Sequence, residues 1–345
     1  MRILIATGIY PPAVGGPSQY AKNVKMEWEK KGHKVKVRTF HFEHFLPSGL
    51  RHFYYFLKII PEVLWCDFIF ALDTFSVGWP ATCAARLFGK KVVIRTGGDF
   101  LWEGYVERSK ELVLLKDFYQ TTKKTWSRKE CLIFRITKWT LHHTDALIFS
   151  TKWQRDIWHE PYDLKKIKIF FVENYYGTKE ESFEPTRKNF IGGARPLIWK
   201  NIKLVQEVFV SREVIGTTAT YHSETCEHEE FMKKIAHCYA TILVSLGDIS
   251  PNMILDAIRH NKPFILTEEN GLMDRIGDIS ITVNPKDSNA IKTKIIWLCK
   301  KDNYDDQIKK IKNFNFTHTW EEIADKIIDV WKKISLNKSP LFVFF

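Results

Sequence analysis

The stretch Arg2-Ile-Leu-Ile-Ala-Thr-Gly8-Ile-Tyr10-Pro-Pro-Ala-Val-Gly15-Gly16-Pro-Ser-Gln-Tyr20 opens the chain and decides its fold. Arg2–Ala6 is a short, continuously apolar strand, and a Gly/Pro loop follows it directly. Gln19–Lys31 then has the apolar period of an amphipathic helix, and Lys34–Thr39 is a second strand begun after Gly32. A strand buried on both faces that feeds a helix and then another strand is the unit of a parallel sheet. The pattern repeats outward: helix Ser48–Leu64, strand Phe68–Leu72, helix Trp79–Phe88, strand Lys91–Arg95. One long helical stretch is expected over 104–143, then strand Ala146–Ser150, helix Thr151–Trp158 and strand Ile167–Val172.

Gly177-Thr-Lys-Glu-Glu-Ser-Phe-Glu-Pro-Thr-Arg-Lys is polar and reads as a linker. Beyond it the alternation resumes with helix Lys200–Phe209, strand Val214–Thr218, helix Glu227–Cys238, strand Thr241–Ser245, helix Asn252–His260 and strand Pro263–Thr267. Helices Ser288–Leu298, Asp305–Lys312 and Thr319–Ile334 finish the chain. The expected class is α/β, two doubly wound Rossmann-like domains, with ligands outside the carboxyl ends of the strands and in the cleft between the domains.

The 345 residues are 45% hydrophobic and 27% charged, enough to bury two cores and too rich in aromatics (14%) for a disordered chain. Six cysteines show no Cys-x-x-Cys spacing, so reduced thiols fit better than a disulfide framework or a structural zinc site. No apolar run reaches the roughly 20 residues of a spanning helix, and the N-terminus reads as a strand rather than a leader. The net charge of +12 favours polyanionic partners: nucleic acid, an anionic membrane surface or phosphate-bearing small molecules.

Three places carry chemistry. Gly15-Gly16, between a strand and a helix N-terminus, can bring backbone N–H groups close to an anion or can simply make a tight turn. It is not Gly-x-Gly-x-x-Gly, and no acidic residue completes a dinucleotide fingerprint, which argues against a nicotinamide enzyme. Arg195 and Lys200 stand where two cations could clamp a diphosphate, or are two surface charges among 52. Ser245-Leu-Gly-Asp248-Ile-Ser-Pro-Asn-Met-Ile-Leu-Asp256 runs off a strand through a turn into a helix. Asp248 and Asp256 can accept from vicinal diols, and Ile249, Ser250, Pro251 and Asn252 open a helix whose N–H groups favour an anion. The plainer readings are an N-cap for Asp248 and a solvated face for Asp256.

The order Gly15-Gly16-Pro-Ser-Gln-Tyr, Arg195…Lys200, Asp248…Asp256, Lys262-Pro-Phe-Ile-Leu-Thr resembles the glycosyltransferases of family 4 with the GT-B fold. Ala71–Gly78, Gly98-Asp-Phe-Leu-Trp-Glu103, Ser150-Thr-Lys-Trp-Gln, Glu173-Asn174 and Phe316-Thr-His-Thr-Trp-Glu-Glu-Ile-Ala extend the resemblance over nearly the whole chain. The resemblance implies an acceptor-side domain over 1–180, a shortened donor domain over 181–318, and a helix over 319–336 crossing back to the first. It implies a retaining, metal-independent transfer of a hexose from a nucleotide-diphosphate sugar to a glycan or lipid-linked acceptor. It puts Gly15 and Gly16 at the donor phosphates, Arg195 and Lys200 on the diphosphate, Asp248 at the sugar and Asp256 at the ribose. Ile249–Asn252 would hold sugar and phosphate through backbone amides, and Asp99 would position the acceptor or merely shape a turn.

The chain departs from that pattern. Two aspartates replace the glutamates of the Glu-x7-Glu pair, Asn201 replaces the glycine after Lys200, and about thirty residues between Phe209 and Thr241 look too few for the usual sheet. Thr96-Gly97-Gly98-Asp99 stands where many relatives place a histidine. A catalytically weak binding module of the same fold is therefore the second reading, and nucleic-acid binding the third, lacking any signature. The basic aromatic stretches Arg51–Lys58 and Lys123–Lys138 suggest peripheral attachment at the inner face of a membrane, against a plainer reading as packed aromatics and solvated charge. The expected location is cytoplasmic.

Overall fold

A computed structural model describes residues 1–13, 15–40, 45–47, 49–193, 196–223 and 228–336. These fall into two compact units. The first is built on a parallel sheet of β1 (Arg2–Thr7), β2 (Lys34–Thr39), β3 (Phe68–Ala71), β4 (Lys91–Arg95), β5 (Ala146–Phe149) and β6 (Ile169–Phe171), in the order β2-β1-β3-β4-β5-β6. Register runs Arg2↔Lys34 to Thr7↔Thr39 on one side of β1 and Ile3↔Phe68 to Ala6↔Ala71 on the other. The central strands β3 and β5 are buried at every position, as a sheet covered on both faces requires. Helices α1 (Gly16–Lys30), α2 (Leu50–Trp65) and α3 (Gly78–Leu87) link the first four strands.

Between β4 and β6 the single expected helix is broken. It becomes α4 (Phe100–Ser109), α5 (Leu115–Thr121) and α6 (Arg128–His143), followed after β5 by α7 (Lys152–Tyr162). The first break follows Lys110, which takes a left-handed conformation at φ 64°. Residues 98–127 group with the second unit, so no single cut near 180 divides the chain. Their bonds explain the grouping. Trp102 packs on Trp199 with ring centres 5.4 Å apart, Ile198 N–H donates to Glu107 Oε1 at 2.7 Å, and Leu115 N–H donates to Leu246 O at 3.2 Å.

The second unit carries β7 (Asn189–Gly192), β8 (Thr220–Ser223), β9 (Ala240–Leu243), β10 (Phe264–Thr267) and β11 (Ile281–Val283), all parallel, in the order β11-β10-β9-β7-β8. Its helices are α8 (Ile202–Phe209), α9 (Arg212–Ile215), α10 (His228–His237), α11 (Asn252–Arg259), α12 (Met273–Ile276), α13 (Ser288–Leu298) and α14 (Lys301–Lys312). The expected strand at 214–218 is absent. Val214 lies in α9, Thr218 turns the chain at φ 61°, and the strand starts two residues later. With β8 in place the sheet has five strands, so the thirty-residue interval suffices after all. Phe190, Val205, Val208, Ile242, Ile265 and Ile291 share one buried cluster of this unit.

The last helix, α15 (Trp320–Leu336), belongs to the first unit. It lies along α1: Trp28 Nε1 donates to Ala324 O at 3.1 Å and Lys31 Nζ pairs with Asp325 at 2.5 Å. The five described cysteines are all free, with Cys66, Cys238 and Cys299 buried.

Candidate functional site

In the second unit the strand order reverses between β7 and β9, which makes a crevice at their carboxyl ends. The loops leaving those two strands bring Lys200 and Asp248 together: Nζ to Oδ2 is 2.7 Å, with both side chains largely buried. Lys200 ends a short 3-10 turn, Ile198–Lys200, and its ammonium also stands 4.3 Å above the Trp199 ring. Asn201 follows at φ 57°. This is the left-handed position that glycine or asparagine takes most cheaply. The Asn201 side chain then donates to Pro285 O at 2.7 Å, so the replacement of glycine is accommodated and used.

Asp248 is fixed through its backbone. Its N–H donates to Glu269 O at 2.9 Å and its carbonyl accepts from Gly271 N–H at 3.1 Å, a one-residue extension of the sheet at Asp248↔Asn270. The turn before it is closed on the other side by the 98–127 segment. A Cβ on Gly247 would lie 2.6 Å from Leu115 Cβ and 3.3 Å from the Trp102 ring, so only glycine fits. Ile249 and Pro251 are buried, Asn252 is exposed, and Pro251 caps α11 without offering a side-chain acceptor.

Asp256 lies one turn into α11 and is buried. Its Oδ1 accepts from Arg259 Nη1 at 3.1 Å, and Arg259 also pairs with Glu180. The aspartate therefore has a cation of its own, four residues from the exposed start of the helix. Asp99 has a structural task. It is buried within the second unit, its Oδ1 accepts from Trp102 N–H at 3.0 Å as the cap of α4, and its Oδ2 accepts from Tyr119 Oη at 2.7 Å. One bond to each oxygen fits the reading of Asp99 as a residue that shapes the turn, and leaves each oxygen a second lone pair. Arg195 lies outside the described residues.

Gly15 and Gly16 belong to the first unit. Gly15 precedes α1 at φ 155°, a backbone conformation that side-chain-bearing residues rarely adopt, and a Cβ there would also push on the end of the Ile9 side chain, 2.8 Å away. Pro17 supplies the residue without N–H that suits a first helical turn.

Glu269, beside Asp248, escaped the sequence reading. It is 2% exposed, pairs with Lys116 through Oε1, and has no partner at Oε2 among the described residues. Burial pushes its carboxyl above the ordinary range, while Lys116 pulls it back and is itself raised by the pair. Ser245 Oγ and Trp199 Nε1 are also buried without partners among the described residues. The signal for Glu269 was present, two acids at the end of an apolar strand (Glu268-Glu269), but its partner is 153 residues away. Among the described residues no cluster of three His, Cys, Asp or Glu could hold a metal ion.

Comparison with solved structures places this architecture. Sucrose-phosphate synthase from Thermosynechococcus elongatus superposes with a TM-score of 0.68 at 10% identity, covering 98% of this chain and 100% of that one. The fold is GT-B. The catalytic domain of starch synthase IV from Arabidopsis thaliana, bound to ADP and acarbose, is similar to this GT-B chain at TM-score 0.65, 10% identity, and 97% and 99% coverage. WaaG, a glycosyltransferase of lipopolysaccharide biosynthesis, gives 0.65, 11%, and 95% and 99%. No protein-family model and no curated protein matches the sequence, so the GT-B likeness rests on structure.

Proposed function

We propose that this GT-B chain is a glycosyltransferase that moves a hexose, with retention and without a metal, from a nucleotide-diphosphate sugar to a glycan or lipid-linked acceptor. The observation that carries the reading is the Lys200–Asp248 pair at the point where the second sheet reverses its strand order. Lys200 has three N–H donors and gives one to Asp248. The others serve a diphosphate, whose charge grows as the glycosidic bond breaks. Arg195, five residues before Lys200 in the sequence, is the second cation of the proposed clamp. Asp248 orients Lys200 and reaches the sugar, Asp256 with Arg259 reaches the ribose, and the backbone from Ile249 to Asn252 holds phosphate at the start of α11. Gly15 and Gly16 are proposed for the donor phosphates as well. The acceptor hydroxyl attacks from the face the diphosphate leaves, and its proton passes to the departing phosphate oxygen.

The structures similar to this chain support such a donor: that of starch synthase IV holds ADP, and that of TarM from S. aureus, similar at TM-score 0.55, holds UDP. A lipid-linked acceptor would bring the protein to an anionic membrane surface as a peripheral partner. The second reading, a GT-B module that binds without turnover, draws on the cations already seated on Asp248 and Asp256. A screen of common nucleotide sugars, following nucleotide release with and without acceptor, separates the two. Turnover that persists in EDTA supports the first reading. Binding with no turnover supports the second, and loss in EDTA restored by Mn²⁺ or Mg²⁺ removes metal independence.

A further inference from the structure

One helix of the first unit is built the wrong way round for a surface in water. On α2, Tyr55, Ile59 and Val63 are fully buried. The opposite side is made by Leu50, Phe53, Tyr54, Leu57, Pro61 and Leu64, all exposed. At about 100° per residue these six fall within an arc of roughly 100°. Phe53 is 59% exposed and Leu64 55%, and no charged residue shares the arc. A helix at a protein surface ordinarily carries its charges there.

The surroundings of this stripe are cationic. Arg51 and Lys58 flank it along one edge. The only acid of α2, Glu62, is buried and already paired with Arg38 and, at 3.9 Å, with Lys36. Those cations stand on β2, the edge strand, where Lys34, Lys36 and Arg38 occupy alternate positions and so share a face. Lys36 Nζ lies 4.7 Å above the Trp65 ring at the end of the helix.

We propose that the exposed face of α2 is a docking surface for an anionic lipid bilayer. The apolar stripe enters the boundary between headgroups and acyl chains, and Arg51, Lys34 and Lys36 meet the lipid phosphates, with Lys58 adding the N–H groups it does not give to Thr39 O. Charge selects this occupant: the rim is basic on α2 and β2 alike, and the chain as a whole carries +12. Attachment is along the surface, since no described helix is long and apolar enough to cross a membrane. The other basic aromatic stretch, 123–138, lacks such a face. Trp126 stacks on Phe118, Ile133 is buried, and exposed Leu132 lies between Lys129 and Arg135. The inference rests on α2 and β2 and deepens the peripheral membrane contact proposed above; it holds whether or not the chain turns over a donor.

The test is co-sedimentation of the full chain with phosphatidylcholine vesicles of rising phosphatidylglycerol content, at low and high salt. Binding should rise with the anionic lipid and fall with salt. Leu50→Ser/Phe53→Ser/Leu57→Ser should cut partitioning more than about tenfold with the melting temperature unchanged. If that triple variant melts low, Phe53→Ser alone should still lose several-fold. Arg51→Gln/Lys58→Gln should weaken binding and flatten its salt dependence. Donor turnover with a water-soluble acceptor, measured in parallel, should be unchanged in all three variants. No binding at any composition overturns the proposal, as does wild-type binding by the triple variant. Vesicle binding that survives the triple variant but is lost on deleting residues 337–345 overturns it too. A dimer that dissociates in the triple variant, with no vesicle binding, would make α2 a self-association face instead.

Discussion

The two sheets share one plan and finish it differently. Taken strand for strand, β2-β1-β3-β4-β5 of the first unit and β8-β7-β9-β10-β11 of the second have the same order, so β3 corresponds to β9. Each of these strands is followed by an aspartate. Asp73 turns inward: its Oδ1 accepts from the N–H groups of Phe75, Val77 and Gly78 at 2.9–3.2 Å and so closes the start of α3. Asp248 instead meets a lysine, and α11 starts at a proline that provides no side-chain cap. The first mouth spends its carboxylate on folding. The second keeps charged groups at the crevice, with extra polar atoms of Glu269, Ser245 and Trp199 buried around it. A site that must take in a ligand looks like the second.

The largest test of this contrast is Lys200→Ala. It should lower kcat/KM by a factor equivalent to about 2–4 kcal/mol, because a charge-assisted contact to the leaving group is lost. Stability should fall by less, since Asp248 keeps its backbone bonds. Turnover equal to wild type would end the clamp assignment. Asp73→Ala should do the reverse. Three N–H groups lose a half-buried acceptor, so denaturant unfolding should show a loss of roughly 2 kcal/mol, with donor affinity unchanged. If Asp73→Ala left stability intact, the first mouth would not be the folding device described here.

Much of this contrast could be read in the chain. The apolar runs at 2–6, 68–72, 91–95, 146–150 and 263–267 are strands because parallel strands covered on both faces must be apolar throughout. Two open α/β domains followed from their order, and the GT-B expectation came from the resemblance carried by Gly15-Gly16, Lys200, Asp248 and Asp256. Lys200 and Asp248 were both legible as candidates, though their pairing was not. What failed depends on long-range partners. The 104–143 stretch has helical composition throughout, yet its first part is held by Trp199, Leu246 and Glu107–Ile198 bonds that no local pattern reveals. Asp99 was legible as a candidate or as a turn residue, but its bond to Tyr119, twenty positions on, was not. Val214–Thr218 had β-branched residues, and the left-handed turn at Thr218 moved the strand.

A smaller effect separates the units by pH. His52 is buried in the first unit against Phe75 and Trp79, and burial, with the nearby Arg51 charge, holds its pKa down at about 4 against an ordinary 6.5. The folded ring is neutral while the unfolded one takes a proton first. Its stabilising share is thus complete above pH 6.5 and is lost as pH falls from 6.5 through 4, on the order of 2 kcal/mol. His52→Phe should flatten the melting temperature over that window. An unchanged pH profile in this variant would show that the ring titrates normally.

The smallest expected effect sharpens the comparison most. Glu269, like Asp73, is a carboxylate beside a turn, fully buried where Asp73 is half-buried, but only one of its oxygens is engaged among the described residues. Glu269→Gln keeps the shape and leaves an acceptor for Lys116. It removes an ion pair whose lysine is 47% exposed and also the cost of burying the charge, two changes of opposite sign. Burial raises the Glu269 carboxyl, so ionising it takes stability away as pH climbs above its ordinary 4.5, and glutamine escapes that loss. Net stability should move by less than about 1 kcal/mol at neutral pH. If the second oxygen waits for a sugar hydroxyl, the same variant should raise the donor KM several-fold while its melting curve stays near wild type. Thermal melts and donor saturation curves on one preparation measure both. A stability loss as large as that of Asp73→Ala, with donor KM unmoved, would mean that the acids of the second mouth hold the fold just as Asp73 does, and the distinction between the two mouths would fall.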